Sequence, residues 1–220
     1  MTDKPLLVVS TGAGISAESG ISTFRDADGL WENYNVMDVA SADGFARNPA
    51  LIHDFYNQRR HALADVRPND AHLALKRLED IFEVQVITQN VDDLHERAGS
   101  ANITHLHGEL TKVRALDDES LVYKLDYADE TTPETRIDGH RVRPHIVFFQ
   151  EAVPMFEKAT ELAAQADIFV IIGTSLQVYP AAALLHYVRR GIPVYYIDPR
   201  PGQVPANVTV IRDTATAGMR

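Results

Sequence analysis

Six short apolar runs punctuate this 220-residue chain: Leu6–Ser10, Glu83–Thr88, Ile146–Phe149, Ile168–Gly173, Val194–Ile197 and Val208–Ile211. Runs this short, apolar at consecutive positions and rich in Val and Ile, suit strands covered on both faces, the environment of a parallel sheet. Stretches of helical spacing lie between them, over Gly44–Ala64, Asp70–Asp80, Asp92–Ala98, Met155–Ala166 and Pro180–Arg190. Within the first, Asn48 reads as the cap and Pro49 as the first-turn residue. Gly191 and then Pro193 close the last. The alternation predicts an α/β fold. Two segments break it: Phe24–Ser41 mixes Gly, Asp, Asn and aromatics without a period, and Leu116–Val142 is polar and interrupted by Pro133 and Gly139. Both read as insertions at the carboxyl edge of the sheet, because loops this long usually cover a site or carry a small subdomain.

The charge balance narrows the partners. Thirty-one acidic against 21 basic residues give a net charge of −10, which argues against duplex DNA or an anionic membrane, since neutralising phosphates needs a Lys/Arg surplus. The chain has no cysteine, which excludes disulfides, thiolate metal sites and cysteine nucleophiles. No apolar run approaches the ~18 residues of a membrane helix, and Leu6–Val9 is too short for a signal peptide. The expectation is a soluble, cytoplasmic monomer with neither nucleic acid nor membrane as partner.

Directly after the first run stands Thr11-Gly12-Ala13-Gly14-Ile15-Ser16-Ala17, a G-x-G-x-x-A pattern at an expected strand-to-helix turn. Glycines there permit a tight turn and close approach of a pyrophosphate to the helix N-terminus. An ordinary Gly-rich turn has the same residues, but the position after the first strand favours a dinucleotide. A dehydrogenase would continue to a ribose-holding acid about 20 residues on. Here that distance falls in the irregular stretch around Trp31 and Glu32, so nucleotide binding without hydride transfer is expected.

Three further groups carry chemistry. Gln89, Asn90 and Asp92 follow the second run at the sheet's carboxyl edge, either as helix caps or as ligand contacts. His105 and His107 share one face of an expected strand, a spacing that also suits metal ligands, although no third ligand stands nearby in sequence. Gly173-Thr174-Ser175 ends another strand.

Taken in order, Gly12-Ala13-Gly14-Ile15-Ser16, Ser19-Gly20-Ile21, Phe24-Arg25, Thr88-Gln89-Asn90-Val91-Asp92, His107-Gly108, Gly173-Thr174-Ser175 and Val178-Tyr179-Pro180 resemble the sirtuin family of NAD-dependent protein deacylases, over nearly the whole chain. The resemblance implies a Rossmann-like NAD-binding domain, here residues 1–23, 61–110 and 144–220. A small domain and cofactor-loop insertions would then occupy 24–60 and 111–143. It implies that Gly12 to Ser16, Phe24, Arg25, Gln89, Asn90, Asp92, Gly173, Thr174, Ser175, Asp198 and Ala215 contact NAD. Asn90 and Asp92 would line the nicotinamide pocket, and Phe24 would shield the reacting ribose carbon. His107 would be the catalytic base, a role that suits a neutral imidazole near pH 7. The products it implies are free lysine, nicotinamide and 2′-O-acyl-ADP-ribose. An ADP-ribosyltransferase, or a weakly active NAD- or ADP-ribose-binding module, is the alternative.

The sequence departs from the family pattern at several points. The zinc-binding cysteine pairs of most sirtuins are absent, and no His or Asp in Leu116–Arg143 replaces them at metal-ligand spacing. The expectation is a zinc-free small domain packed by Leu116, Leu121, Val122, Tyr123, Leu125 and Tyr127. Phe148-Phe149-Gln150-Glu151 stands where the family reads Phe-Gly-Glu, so Gln150 replaces a permissive backbone in the strip that, with Val178 and Tyr179, would sandwich the substrate peptide. Asp198 stands where many members have Asn, and Thr23 where many have Asp. Tyr56 and Arg59, three apart on one helix face, resemble the pair in class III sirtuins that receives dicarboxylic acyl groups, with Ala40 giving the pocket room. That reading makes succinyl- and malonyl-lysine peptides the substrates.

Overall fold

The computed structural model describes residues 4–23, 30–31 and 34–220. Among these residues the strands are, in chain order, β1 (Leu6–Thr11), β2 (Leu30–Trp31), β3 (Tyr34–Asn35), β4 (Glu83–Thr88), β5 (Ile103–His105), β6 (Gly108–Ala115), β7 (Val122–Lys124), β8 (Arg136–Ile137), β9 (His140–Ile146), β10 (Ile168–Ile172), β11 (Val194–Ile197) and β12 (Thr209–Ile211). The α-helices are α1 (Val36–Val39), α2 (Ala42–Arg47), α3 (Pro49–Ala62), α4 (Asp70–Leu78), α5 (Leu94–Arg97), α6 (Phe156–Gln165) and α7 (Ala215–Gly218).

Six strands form one sheet in the order β12-β11-β10-β1-β4-β5, with every neighbouring pair parallel. This is the Rossmann-like order, in which strand addition reverses direction between β1 and β10 and opens a crevice at their carboxyl ends. Alternation along β1 supplies both layers of core. Leu7 and Val9 pack with Val84, Val86 and, from α4, Ala71 and Leu75. Val8 faces the opposite side with Phe169, Tyr196 and Ala159 and Ala163 of α6. A second sheet, antiparallel in the order β7-β6-β9-β8, is built from residues 108–146.

Four expectations need correction. Ile146–Phe149 is not a strand of the parallel sheet: Ile146 ends antiparallel β9, and the chain continues as an extended strip whose Phe149 bridges Ser41. The sixth parallel strand is instead Ile103–His105, only three residues long and with polar Thr104 and His105 in place of an apolar run. Pro180–Arg190 is not an α-helix but a 3-10 run over Ala181–Tyr187. The threefold repeat of that helix puts Ala181 and Leu184 on one line, and these are its buried residues. The span Asp92–Ala98 shortens to α5 because the Asp92 carboxylate takes the Leu94 amide (3.1 Å) ahead of the first turn. Where the sequence predicts a helix after β1, two single 3-10 turns follow, Ala13–Ile15 and Ala17–Ser19, ended by Gly20 at φ +93°. The expected break before Pro49 is present, with Asn48 Oδ1 accepting from the Leu51 amide at 3.1 Å.

The small antiparallel sheet is packed less by apolar residues than the sequence suggests. Leu125 packs with Val113 and Val142, with Tyr123 and Ile137 against them, but Leu116 and Val122 are 46% and 40% exposed. A buried polar staple to α3 supplements that packing. Asn57 Nδ2 donates to the Thr131 carbonyl (2.9 Å) and its Oδ1 accepts the Thr131 amide (3.1 Å). His53 Nδ1 meets Thr131 Oγ1 at 2.8 Å, and the fully buried Arg60 donates to Asn57 Oδ1 and to the Asp129 carbonyl.

Candidate active site

A cavity of about 540 Å³ opens at the carboxyl ends of β1, β4 and β10. It brings together, from the turns after those strands, Gly12, Ala13, Gly14, Gln89, Asn90, Asp92, Gly173, Thr174 and Ser175, with His107, Asp198 and Ala215. Ala40, Tyr56, Arg59, Phe149, Val178 and Tyr179 line the same space. Phe24 and Arg25 lie outside the described residues. Two of the loop residues do not reach the cavity. Ile15 is fully buried in the core under the turn, and Ser16 acts on its neighbours.

The first turn can exist only because of its glycines. The Gly14 amide donates to the Gly173 carbonyl at 2.8 Å, and a Cβ on Gly14 would lie 2.5 Å from the Gly173 Cα. Gly173 itself sits at φ +63°, with no room for a side chain against the Ile15 amide. The two turns therefore close backbone to backbone, leaving a side-chain-free cradle of the kind a pyrophosphate requires. Because 3-10 turns replace the expected helix, the amides of the turn, rather than the dipole of a long helix, face that cradle.

Deeper in the crevice Ser16 organises the polar end. Its Oγ donates to Asp92 Oδ2 (2.9 Å) and accepts from Asn90 Nδ2 (3.1 Å), with His72 Nε2 at 3.5 Å. Burial pushes the Asp92 carboxyl up to about 6, opposed by the Leu94 amide and the Ser16 hydroxyl. At neutral pH Asp92 is thus an ionised acceptor in a dry site, which matches a carboxamide N–H donor. Gln89 Nε2 donates to Thr174 Oγ1 at 3.1 Å, tying the turn after β4 to the turn after β10. Asp198 is buried, and its Oδ1 accepts from the Arg200 amide (2.8 Å).

The two histidines grip that same turn. His107 Nδ1 donates to the Gln89 carbonyl at 3.0 Å, and His105 Nδ1 donates to the Asn90 carbonyl at 3.1 Å. A carbonyl only accepts, so His107 carries its proton on Nδ1 and keeps the Nε2 lone pair. Burial lowers its pKa below the ordinary imidazole value, against the pull of the Gln89 bond. His107 is therefore a neutral base at physiological pH. His105 turns toward Glu96 and Glu109 rather than toward His107. These three offer ligand-type atoms within 4.8 Å of one another, the grouping that the H-x-H spacing alone could not reveal.

The far end of the cavity is the α3 face. Tyr56 is almost wholly buried, and burial raises its phenol pKa. The Arg59 guanidinium stacks 3.8 Å over the Phe55 ring and donates to the Phe55 carbonyl (2.9 Å). Opposite runs the Phe149 strip, held by Phe149 N to Ala40 O (2.8 Å) and Ala42 N to Phe149 O (3.1 Å). Gln150 adopts φ +77°, the left-handed region where glycine is at ease. Two bonds to Asp43 hold it, its Oε1 accepting from the Asp43 amide (3.1 Å) and its Nε2 donating to the carboxylate (2.8 Å).

Glu151, which the sequence marks only as the end of the Phe148–Glu151 strip, also lines the cavity. Its carboxylate receives Arg143 at 2.6 and 3.3 Å, Arg114 at 3.4 Å and the Phe148 amide at 2.9 Å. The signal for it was the pair of basic residues in β6 and β9, Arg114 and Arg143, whose burial demands a counter-charge.

Comparison with known proteins places this arrangement. The model of the Sir2 family matches residues 12–180. A Bacteroides thetaiotaomicron protein named NAD-dependent protein deacylase is 55% identical over 223 residues, covering 97% of this chain and 94% of its own length. The structure of a Sir2 homologue–NAD complex superposes with a TM-score of 0.88 at 38% identity, over 99% of this chain and 87% of that one. A Sir2 structure with a deacetylated p53 peptide and 3′-O-acetyl-ADP-ribose gives a TM-score of 0.84 at 29% identity, over 99% and 92%. By sequence and by fold alike, this chain belongs to the Sir2 family.

Proposed function

We propose that the chain is an NAD-dependent protein-lysine deacylase that prefers succinyl and malonyl over acetyl groups. The observation that carries the reading is that one cavity holds a glycine-walled cradle, the buried Asp92 and Asn90, the neutral His107 and, at its other end, Tyr56 with Arg59. The residues fit NAD: a Cβ at Gly12 or Gly14 would meet the Gly173 turn at 2.8 Å or closer, so the turns that line the crevice meet as bare backbone, the surface a pyrophosphate needs. Bound NAD supplies the ribose that releases nicotinamide and accepts the acyl group.

The chain's own residues do the rest. Asp92 and Asn90 orient a carboxamide at the dry end of the crevice. His107, neutral with its Nε2 lone pair available, accepts a proton from a ribose hydroxyl. Val178, Tyr179 and the Phe149 strip bracket an extended peptide, and the relative solved with a deacetylated peptide supports a peptide substrate. Arg59 and Tyr56 supply a cation and a hydroxyl where the acyl group ends, which a dicarboxylic acyl chain needs when its carboxylate leaves water. NAD incubated with acetyl, malonyl and succinyl peptides tests this by product masses. Nicotinamide release with unmodified lysine, fastest from succinyl or malonyl peptide, is expected. ADP-ribose retained on a protein acceptor would make it a transferase, and no nicotinamide at all a binding module.

A further inference from the structure

His105 is not needed as a base, since His107 fills that role, yet its side chain is only 9% exposed and both of its ring nitrogens are engaged. Nδ1 lies 3.1 Å from the Asn90 carbonyl and Nε2 lies 2.7 Å from Glu96 Oε1. A carbonyl and a carboxylate are both acceptors, so the ring satisfies the two together only when each nitrogen carries a proton. We propose that His105 is a positioning residue for the nicotinamide end of the site, a standing imidazolium that clamps the Asn90 carbonyl and lends its charge to keep Asp92 ionised. The proposal rests on the reading of Asn90 and Asp92 as that end.

The surroundings agree. Burial works against a charge on His105, but the hydrogen bond and attraction to Glu96, with Glu109 at 4.0 Å, hold its pKa above the ordinary value. Lys112, which also acts on Glu96, is committed to Glu109 at 2.6 Å. His95, on the same helix as Glu96, is kept neutral by burial. Asp92 is pushed up chiefly by burial; Asp93 adds to that push, and His105 pulls against it. The two histidines of one H-x-H unit thus hold consecutive carbonyls in opposite protonation states, the pattern that separates a base from its electrostatic support.

Three variants test this. His105→Asn keeps an N–H donor toward Asn90 without charge, His105→Leu removes both, and Glu96→Gln removes the counter-charge. In wild type, nitrogen-15 NMR is expected to show both His105 nitrogens protonated through pH 7, and in Glu96→Gln that proton is lost at lower pH. In His105→Asn the acid limb of the kcat/KM profile for NAD should move to higher pH, with the melting temperature near that of wild type. In His105→Leu kcat/KM for NAD should also fall about 10-fold or more, as for loss of a charged hydrogen bond, with the peptide KM unchanged. A neutral His105 at pH 7 in wild type overturns the proposal. So does an unshifted acid limb in His105→Asn, or losses that follow melting temperature and peptide KM alone. Failure of wild type to release nicotinamide from NAD would instead overturn the underlying reading, and the NMR titration separates the two cases.

Discussion

Ser16 and Asp92 share a hydrogen bond of 2.9 Å in the floor of the crevice, and it holds a carboxylate where water is scarce. Burial raises the Asp92 pKa from 3.8 to about 6, so the ionised form is the costly one. The stability that a neutral Asp92 gives the fold is complete below about pH 4 and is lost as pH rises through 6. A gap of about two units corresponds to a few kcal/mol, roughly 3. Asp92→Asn, which cannot ionise, should therefore be more stable than wild type at pH 7.5 by up to about 3 kcal/mol while losing NAD turnover. Below pH 4 the two should converge. Urea unfolding at the two pH values checks this, and an Asn variant less stable than wild type at pH 7.5 would contradict it.

The polar staple between α3 and the loop at Thr131 should carry stability without metal. Asn57→Ala strands the Thr131 amide and carbonyl in a buried site and takes an acceptor from Arg60, a loss of about 2–6 kcal/mol for the two Thr131 groups alone. Elemental analysis should find no stoichiometric zinc, and a chelator should leave the melting temperature unchanged. Zinc at one per chain, with unfolding on chelation, would refute the prediction.

Arg59 and Tyr56 should discriminate among acyl groups. A succinyl carboxylate without its partner costs about 1.5–3 kcal/mol, so Arg59→Met should lose on the order of 10- to 150-fold in kcat/KM on succinyl peptides. Tyr56→Phe should lose less, and both should change acetyl peptide turnover much less. Equal losses on both substrates, or a wild type that prefers acetyl, would reduce the pair to a helix face.

Much of this was legible in residue order, and the illegible parts share a cause. The β1, β4, β10 and β11 strands announce themselves by apolar runs because most of their residues, on either face, are at least half-buried. The β5 strand does not, since Ile103-Thr104-His105 is short, at the sheet edge and occupied by the site. Ile146–Phe149 has the composition of a buried strand, but only Ile146 belongs to a sheet, the antiparallel one, and Phe149 pairs with Ala40 and Ala42 in the strip beyond it. Tertiary pairing of that sort leaves no period. The glycines at 12, 14 and 173 were readable as a turn, whereas their mutual contact needed three dimensions. The H-x-H spacing placed both histidines on one strand face. In the structure the two rings serve different partners because His107 lies beyond the end of β5, where the strand's regular alternation no longer applies.

His107→Ala separates proton transfer from cofactor binding, since the reading makes a neutral His107 the base beside the NAD cradle. With NAD affinity measured by calorimetry beside deacylation, the variant should bind NAD within a few-fold of wild type and lose about 10²-fold or more in turnover, the usual range for a general base. Near-normal turnover in His107→Ala, with NAD still bound, would contradict the account.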